Sequence, residues 1–178
     1  MINLNLHCKV FPTTPKEFSA VIRYFLDSSP AELQKRGTDA TKLPSFENWH
    51  SYMLSEYKKP LEEKQFFCLS WYYDDELIGH SCIDHIEFSN QAFTHLHIWK
   101  PEARHKKLGY SFFWLSLQYY FKYFDLKRIY CQPNAHNNEP NKLLRGLGFK
   151  LVKHYKTIPH PICFEQYVNL YVFEAQGV

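Results

Sequence analysis

The sequence predicts an α/β (α+β) fold, a central mixed, mostly antiparallel sheet of about seven strands flanked by helices. Three observations lead there. The element order reads strand, two or three helices, three strands, helix, strand, helix, two strands. Hydrophobic residues make up 45% and aromatic residues 18% of 178 positions, enough for a sizeable core. No repeat or low-complexity linker interrupts the chain, so residues 1–178 are expected to form a single domain.

Each element has its own signal. Residues 3–10 (NLNLHCKV) alternate as a strand should. A Thr-Thr-Pro start precedes a helix in which Phe18, Ile22 and Phe25 recur at helical spacing, and SSPAELQKRG gives a second, short helix ended by Gly37. FENWHSYMLSEYKK is a further amphipathic helix. QFFCLSWYY and ELIGHSCIDHIEF read as a hairpin turning at Asp74-Asp75, and FTHLHIWK as the next strand, antiparallel to it. LGYSFFWLSLQYYFKYF is apolar on most faces, which predicts a helix covered on both sides. KRIYCQP is a short strand, PNKLLRGLGF a short helix closed by Gly148, and KLVKHYKT and EQYVNLYVFEA a final strand pair.

The bulk chemistry excludes several classes. A net charge of +3 is too weak to imply nucleic-acid binding without a concentrated patch. Five cysteines, far apart and without a CxxC pair, support neither a zinc ribbon nor a disulfide framework. The N-terminus carries no signal-peptide pattern and no apolar run reaches about 18 residues, so a cytoplasmic protein off the membrane is expected.

The stretch PEARHKKLGYSFFW, residues 101–114, joins a strand to a helix. A helix start presents unpaired backbone N–H groups at the positive end of the helix dipole, a ready anion site. Arg104, His105, Lys106 and Lys107 add positive charge there, and Gly109 lets the backbone approach a phosphate closely. Alone, the segment reads first as a solvated basic loop before a helix. About thirty residues downstream comes NNEPNKLLRGLGF, after a strand.

With those features the chain resembles the GCN5-related N-acetyltransferases. Their acetyl-CoA signature is Arg or Gln, two residues, Gly, one residue, then Gly or Ala, and Arg104 to Gly109 fits it with Lys107 in place of the first glycine. Asn137, Pro140, Asn141 and Leu147-Gly148-Phe149 match the family's next motif, and Gly79 its Ile-Gly strand. Residues 97–102 are a loose version of the strand end seen in the ribosomal-protein N-acetyltransferase branch.

The resemblance implies a GNAT-like fold and a ternary complex in which a primary amine, on a protein N-terminus or a small molecule, attacks acetyl-CoA directly. It implies that Lys106, Lys107, Leu108, Gly109 and Tyr110 hold the pyrophosphate, with Arg104 on phosphate oxygens. It also implies that Asn137 and Asn141 bond the pantetheine arm, and that a backbone N–H of the fourth strand, at Ile98 or Trp99, faces the thioester oxygen. Neutralising the amine needs a base. His95 and His97 share one strand face with Trp99 and titrate near neutrality, and Glu87 is the carboxylate alternative. Their other reading is as hydrogen-bonded sheet residues.

No metal is expected, since the His95–His97 pair has no identifiable third ligand, although His80 and His85 share the hairpin. Where the family often carries a tyrosine to protonate the thiolate, this chain has Leu144, with Tyr110 and Tyr130 as substitutes. The acceptor site is expected from residues 28–49 and the loop 157–166, with Phe46, Trp49 and Phe164 as walls and Asp39, Glu47 and Glu165 as attractors for a cation. The partners are therefore acetyl-CoA and an amine, with a homodimer left open. The rival readings are a non-catalytic CoA-binding module of the same fold and a basic, aromatic binder of single-stranded nucleic acid.

Overall fold

The computed structural model describes residues 6–100 and 108–175. Its strands are β1 (Cys8–Pro12), β2 (Phe66–Tyr73), β3 (Glu76–Glu87), β4 (Gln91–Ile98), β5 (Arg128–Cys131), β6 (Lys150–Thr157) and β7 (Gln166–Glu174). The α-helices among the described residues are α1 (Pro15–Leu26), α2 (Pro30–Arg36), α3 (Phe46–Lys58), α4 (Leu108–Phe124) and α5 (Asn138–Leu147). The strands form one sheet in the order β1-β2-β3-β4-β5-β7-β6, antiparallel except between β4 and β5.

Local chemistry sets most boundaries. In α1 the Glu17 carboxylate accepts the Thr14 N–H (2.7 Å), and in α2 Ser29 and Glu32 close the same reciprocal cap. Gly37 ends α2 at φ 81°, the left-handed conformation a side chain resists. Asp74 and Asp75, both at positive φ, form the β2–β3 turn. The first strand departs from the sequence reading: β1 begins at Cys8, and the His7 carbonyl accepts the Asp74 N–H instead (3.3 Å). Alternation alone cannot tell where a partner strand begins.

The sheet buries two unlike faces. On one, α4 packs Leu108, Phe112, Phe113, Leu117 and Phe124 against Leu69, Trp71, Ile83 and Ile129. Two polar pins fix its register, Trp71 Nε1–H to Ser116 Oγ (2.9 Å) and Ser81 Oγ with Tyr120 OH (2.7 Å). On the other face α1 and α3 bury Phe18, Val21, Ile22 and Met53 over Cys68 and Cys82. That face also carries the histidines of β3 and β4.

Gly79 marks where these layers leave no room. A Cβ there would lie 2.4 Å from the His97 carbonyl oxygen, a backbone atom that cannot swing aside. Gly79→Ala is therefore expected to cost about 1–3 kcal/mol through overpacking. Urea unfolding checks this, and an unchanged midpoint would contradict it.

Candidate active site

The site is built where two neighbouring strands part. The β4–β5 ladder consists of Gln91–Arg128, Ala92–Ile129 and Phe93–Tyr130, and the Phe93 and Tyr130 rings stack at its last rung (5.3 Å). Beyond it β4 continues with β3, through Cys82–His95, His80–His97 and Gly79–Ile98. The chain after β5 follows β7 instead: the Asn169 N–H bonds the Pro133 carbonyl (3.1 Å) and the Ala135 N–H the Tyr167 carbonyl (2.9 Å). The result is a wedge, closed at Phe93–Tyr130 and opening toward Ile98.

The start of α4 stands at the open end. A Cβ on Gly109 would meet Ile98 Cδ1 at 3.4 Å and Leu143 Cδ2 at 3.7 Å, so Gly109 lies between the end of β4 and helix α5. Those are near-ordinary contacts; protein packing alone does not demand glycine here. Tyr110 lies over Gly146 of α5, its hydroxyl 3.5 Å from the Lys142 carbonyl, and Leu108 is buried. Arg104, Lys106 and Lys107 fall outside the described residues, and with them the departure from the glycine pattern at Lys107.

Strand alternation decides which β4 amides face the wedge. The Trp99 N–H already donates to the Ile78 carbonyl of β3 (2.8 Å). Backbone groups alternate sides along a strand, so the amides of Leu96 and Ile98 are directed to the β5 side. Of the two expected donors to a thioester oxygen, Ile98 has this orientation and Trp99 does not.

The two asparagines also separate. Asn141 is buried, and both ends of its amide are engaged: Nδ2 donates to the Asn134 (2.9 Å) and Asn137 (2.7 Å) carbonyls, and Oδ1 accepts from Asn169 Nδ2 (2.7 Å). It braces the turn that holds β5 away from β4. Asn137, half-buried at the N-cap of α5, makes no capping bond with its side chain.

On the α1 side of β4, Trp99 Nε1–H donates to His80 Nδ1 (2.8 Å), the Tyr24 ring stacks on Trp99 (5.9 Å), and its hydroxyl lies 3.5 Å from His97 Nδ1. Burial, with the charges of His95 and Arg36, pushes the His80 imidazole down to about 3, so His80 is a neutral core histidine. His95 Nε2 lies 3.0 Å from Asp84 Oδ2, His85 Nδ1 2.8 Å from Oδ1, and His160 Nε2, from the β6–β7 loop, 3.4 Å from Oδ2. Burial alone would raise the Asp84 carboxyl, but the His95 charge and the hydrogen bonds of His95 and His85 hold it far below the usual carboxylate range. Burial would likewise lower His95, yet the charge of Asp84 and the bond to it keep that imidazole above its ordinary value. Among the described residues, no group of three or more His, Cys, Asp or Glu is arranged to hold a metal ion.

Sequence reasoning passed over Asp84. Its signal was there: one carboxylate within LIGHSCIDHI, residues 77–86, a run that otherwise holds no acid or base except histidine. Glu87, the carboxylate considered instead, bonds Asn90 and Gln91 at the hairpin turn. Four and six strand positions, roughly 13 and 20 Å, separate Gln91 from His95 and His97. The structure does not bring Glu87 to the histidines.

The two segments expected around an acceptor do meet. Thr38 pairs with Cys163, the Asp39 N–H donates to the Ile162 carbonyl (2.8 Å), and Gln166 Nε2 donates to the Gly37 carbonyl (2.9 Å). Trp49 packs on Phe25 and Phe46 on His50, while Phe164 is half-buried. Two of the three expected acidic attractors are already neutralised, Asp39 by Lys42 (3.7 Å) and Glu165 by Lys156 (2.5 Å); Glu47 is exposed. Leu144 is fully buried, and burial pushes the Cys131 thiol up to about 12, so Cys131 is an inert core residue.

A largely antiparallel sheet opened at one short parallel seam, with a crossover helix beginning at the opening, is the architecture of the acetyltransferase fold. Residues 34–156 match the acetyltransferase (GNAT) family model, and the chain belongs to that family. Comparison with curated proteins gave no match. Similar solved structures include the ribosomal L7/L12 α-N-protein acetyltransferase RimL in complex with coenzyme A (15% identity, TM-score 0.76, 97% of each chain covered). Others are the ribosomal-protein-S5-alanine acetyltransferase of Vibrio fischeri (16%, 0.78, 97% and 95%) and the spermidine N-acetyltransferase of Vibrio cholerae with CoA and spermine (14%, 0.74, 94% of each). At these identities the likeness establishes the fold, and it selects no substrate branch.

The bracing role of Asn141 predicts a division of effects. Asn141→Ala leaves the buried carbonyls and Asn169 short of partners and should destabilise the fold by about 1–3 kcal/mol. Asn137→Ala should leave stability within about 0.5 kcal/mol, as surface substitutions away from special contacts do. Equal losses in chemical denaturation would overturn the distinction.

Proposed function

We propose that the chain is an acetyl-CoA-dependent N-acetyltransferase that acetylates a primary amine, on a protein N-terminus or a small molecule, in a ternary complex. The observation that carries this reading is the wedge between β4 and β5 with the first turn of α4 at its mouth. A strand edge past the end of its ladder suits an extended, amide-bearing pantetheine arm. The N-terminal turn of a helix suits a pyrophosphate, with Leu108, Gly109 and Tyr110 at hand and Arg104, Lys106 and Lys107 preceding them in sequence.

Bound acetyl-CoA supplies the activated acetyl group; the chain positions it and handles the proton. With the pyrophosphate at Gly109, the arm runs inward from Ile98, which brings the reacting end toward the closed end of the wedge and His95. The Leu96 amide offers a hydrogen bond to the carbonyl oxygen as charge develops there, and the Ile98 amide points to the same side of the strand. His95 and His97 are the groups that take a proton from the incoming amine. The paired segments 37–39 and 160–166 form the acceptor side. With Leu144 buried in the core, Tyr110 and Tyr130, at the two ends of the wedge, are the hydroxyls near the thiolate's path.

A ligand that binds only the folded state adds about 2.7 kcal/mol at 100 times its dissociation constant. For a chain of this length that raises Tm by roughly 5–10 °C. Acetyl-CoA should give such a shift and other nucleotides should not; no shift at millimolar acetyl-CoA would contradict the reading. Gly109→Glu places a carboxylate between Ile98 and Leu143 at the pyrophosphate position. That variant should fold, lose at least tenfold in acetyl-CoA affinity by calorimetry and lose acetyl transfer. Normal affinity would show that the cradle lies elsewhere.

A further inference from the structure

We infer that Asp84 is a positioning residue of the acetyl-transfer reaction: from β3 its carboxylate fixes the tautomer and orientation of His95, so that His95 can take the proton of the incoming amine. The inference rests on the acetyltransferase reading above.

The Asp84 side chain is 9% exposed and sits where the β3–β4 register shifts, between Asp84 and Glu87. At that shift His85 adopts a left-handed backbone (φ 46°), an uncommon conformation for a histidine, and its Nδ1 bonds Asp84 Oδ1. A lone buried carboxylate is costly unless it is hydrogen-bonded and paired. Here its partners are imidazoles gathered from β3, β4 and the β6–β7 loop. Sheet packing alone has no need of that arrangement, because an apolar residue at position 84 would bury as well without assembling them.

A carboxylate only accepts hydrogen bonds, so His95 Nε2 must carry the proton in the pair. The lone pair of neutral His95 is thereby left on Nδ1. In the step proposed, an N–H bond of the ammonium breaks, an N–H bond forms at His95 Nδ1, and the resulting imidazolium is stabilised by the Asp84 carboxylate. The freed amine lone pair forms the bond to the acyl carbon and the carbon–sulfur bond breaks; the nitrogen then gives up a second proton, which the departing thiolate takes up through solvent, and the proton on His95 returns to solvent.

His160 meets the same carboxylate in a different state. The Ile162 N–H reaches its Nδ1 (3.4 Å), which makes Nε2 the protonated nitrogen facing Asp84. Burial and the His95 charge, opposed by Asp84, push His160 down to about 4. It therefore docks the acceptor-side loop against the same carboxylate as a neutral group. Among the described residues, the other titratable groups around the pair include His80, Cys82 and His85 of β3, His97 of β4, Tyr52 of α3, Cys131 of β5 and Cys163 of the β6–β7 loop, with Tyr24 of α1 facing His97 and His80.

The test compares two titrations in the full chain. The acid limb of kcat/KM for an amine acceptor is measured alongside the NMR titration of the His95 imidazole, in the wild type and in Asp84→Asn. Both midpoints should coincide above the ordinary histidine value of about 6.5. In Asp84→Asn both should move down together by roughly one to two units. At neutral pH kcat should fall at least tenfold while KM for acetyl-CoA stays within twofold, a split that a merely structural role would not give.

An NMR midpoint that moves while the kinetic limb stays, or a kcat within twofold of wild type, would overturn the inference and leave the acetyltransferase reading standing. Absence of transfer by the wild type at every pH would overturn that reading and the inference with it. Should Asp84→Asn fail to fold, the wild type decides alone: a limb at the His95 midpoint supports the assignment, and a limb elsewhere overturns it.

Discussion

The site depends on one constraint: β4 and β5 run parallel, and for only three residue pairs. Beyond Phe93–Tyr130 each strand stays with its other neighbour. β4 keeps its antiparallel bonds to β3, while residues 133–135 are held against β7 by backbone bonds to Tyr167 and Asn169. Asn141 and Asn169 lock that second attachment from within. The opening is thus a product of competing ladders, and the groups that maintain it lie on the side of β5 away from β4. The parallel seam also requires a long crossover, which brings the start of α4 back to the end of β4.

A second consequence concerns the two sheet faces. The α4 face is an aromatic and aliphatic core fixed by two hydroxyl pins. The α1 and α3 face is built differently: near the wedge it carries His80, His95, His97, Trp99 and Asp84. A chain aiming only at stability would fill such positions with apolar side chains. The acceptor-side segments close over this polar face through Thr38–Cys163 and Gln166, so cofactor and acceptor would approach β4 from different directions and meet beside His95.

Much of the fold was legible because local chemistry is strong there. The body of α4 follows from its apolar-rich run, the β2–β3 turn from Asp74-Asp75, and the ends of α2 and α5 from Gly37 and Gly148. What was not legible depends on register and on distant partners. Trp99 and Ile98 differ as amide donors only because β3 binds one of them. The bracing bond of Asn141 to Asn169, 28 positions away, has no local signal either. Glu87 and Asp84 lie three residues apart, and the irregular stretch between them sends one to the turn and the other to the histidines. No local pattern foretells that His160, 76 positions from Asp84, approaches the same carboxylate oxygen as His95.

The central claim is that the wedge between β4 and β5 receives acetyl-CoA, and the amide of Leu96 reports on it most directly. Hydrogen exchange followed residue by residue, with and without saturating acetyl-CoA, tests the claim. The account predicts that exchange at Leu96 slows at least tenfold on binding, while Ile129 and Ala92, inside the ladder, change little. Binding that leaves Leu96 unprotected and instead protects amides near Phe11 and Tyr72, on the far edge of the sheet, would contradict it.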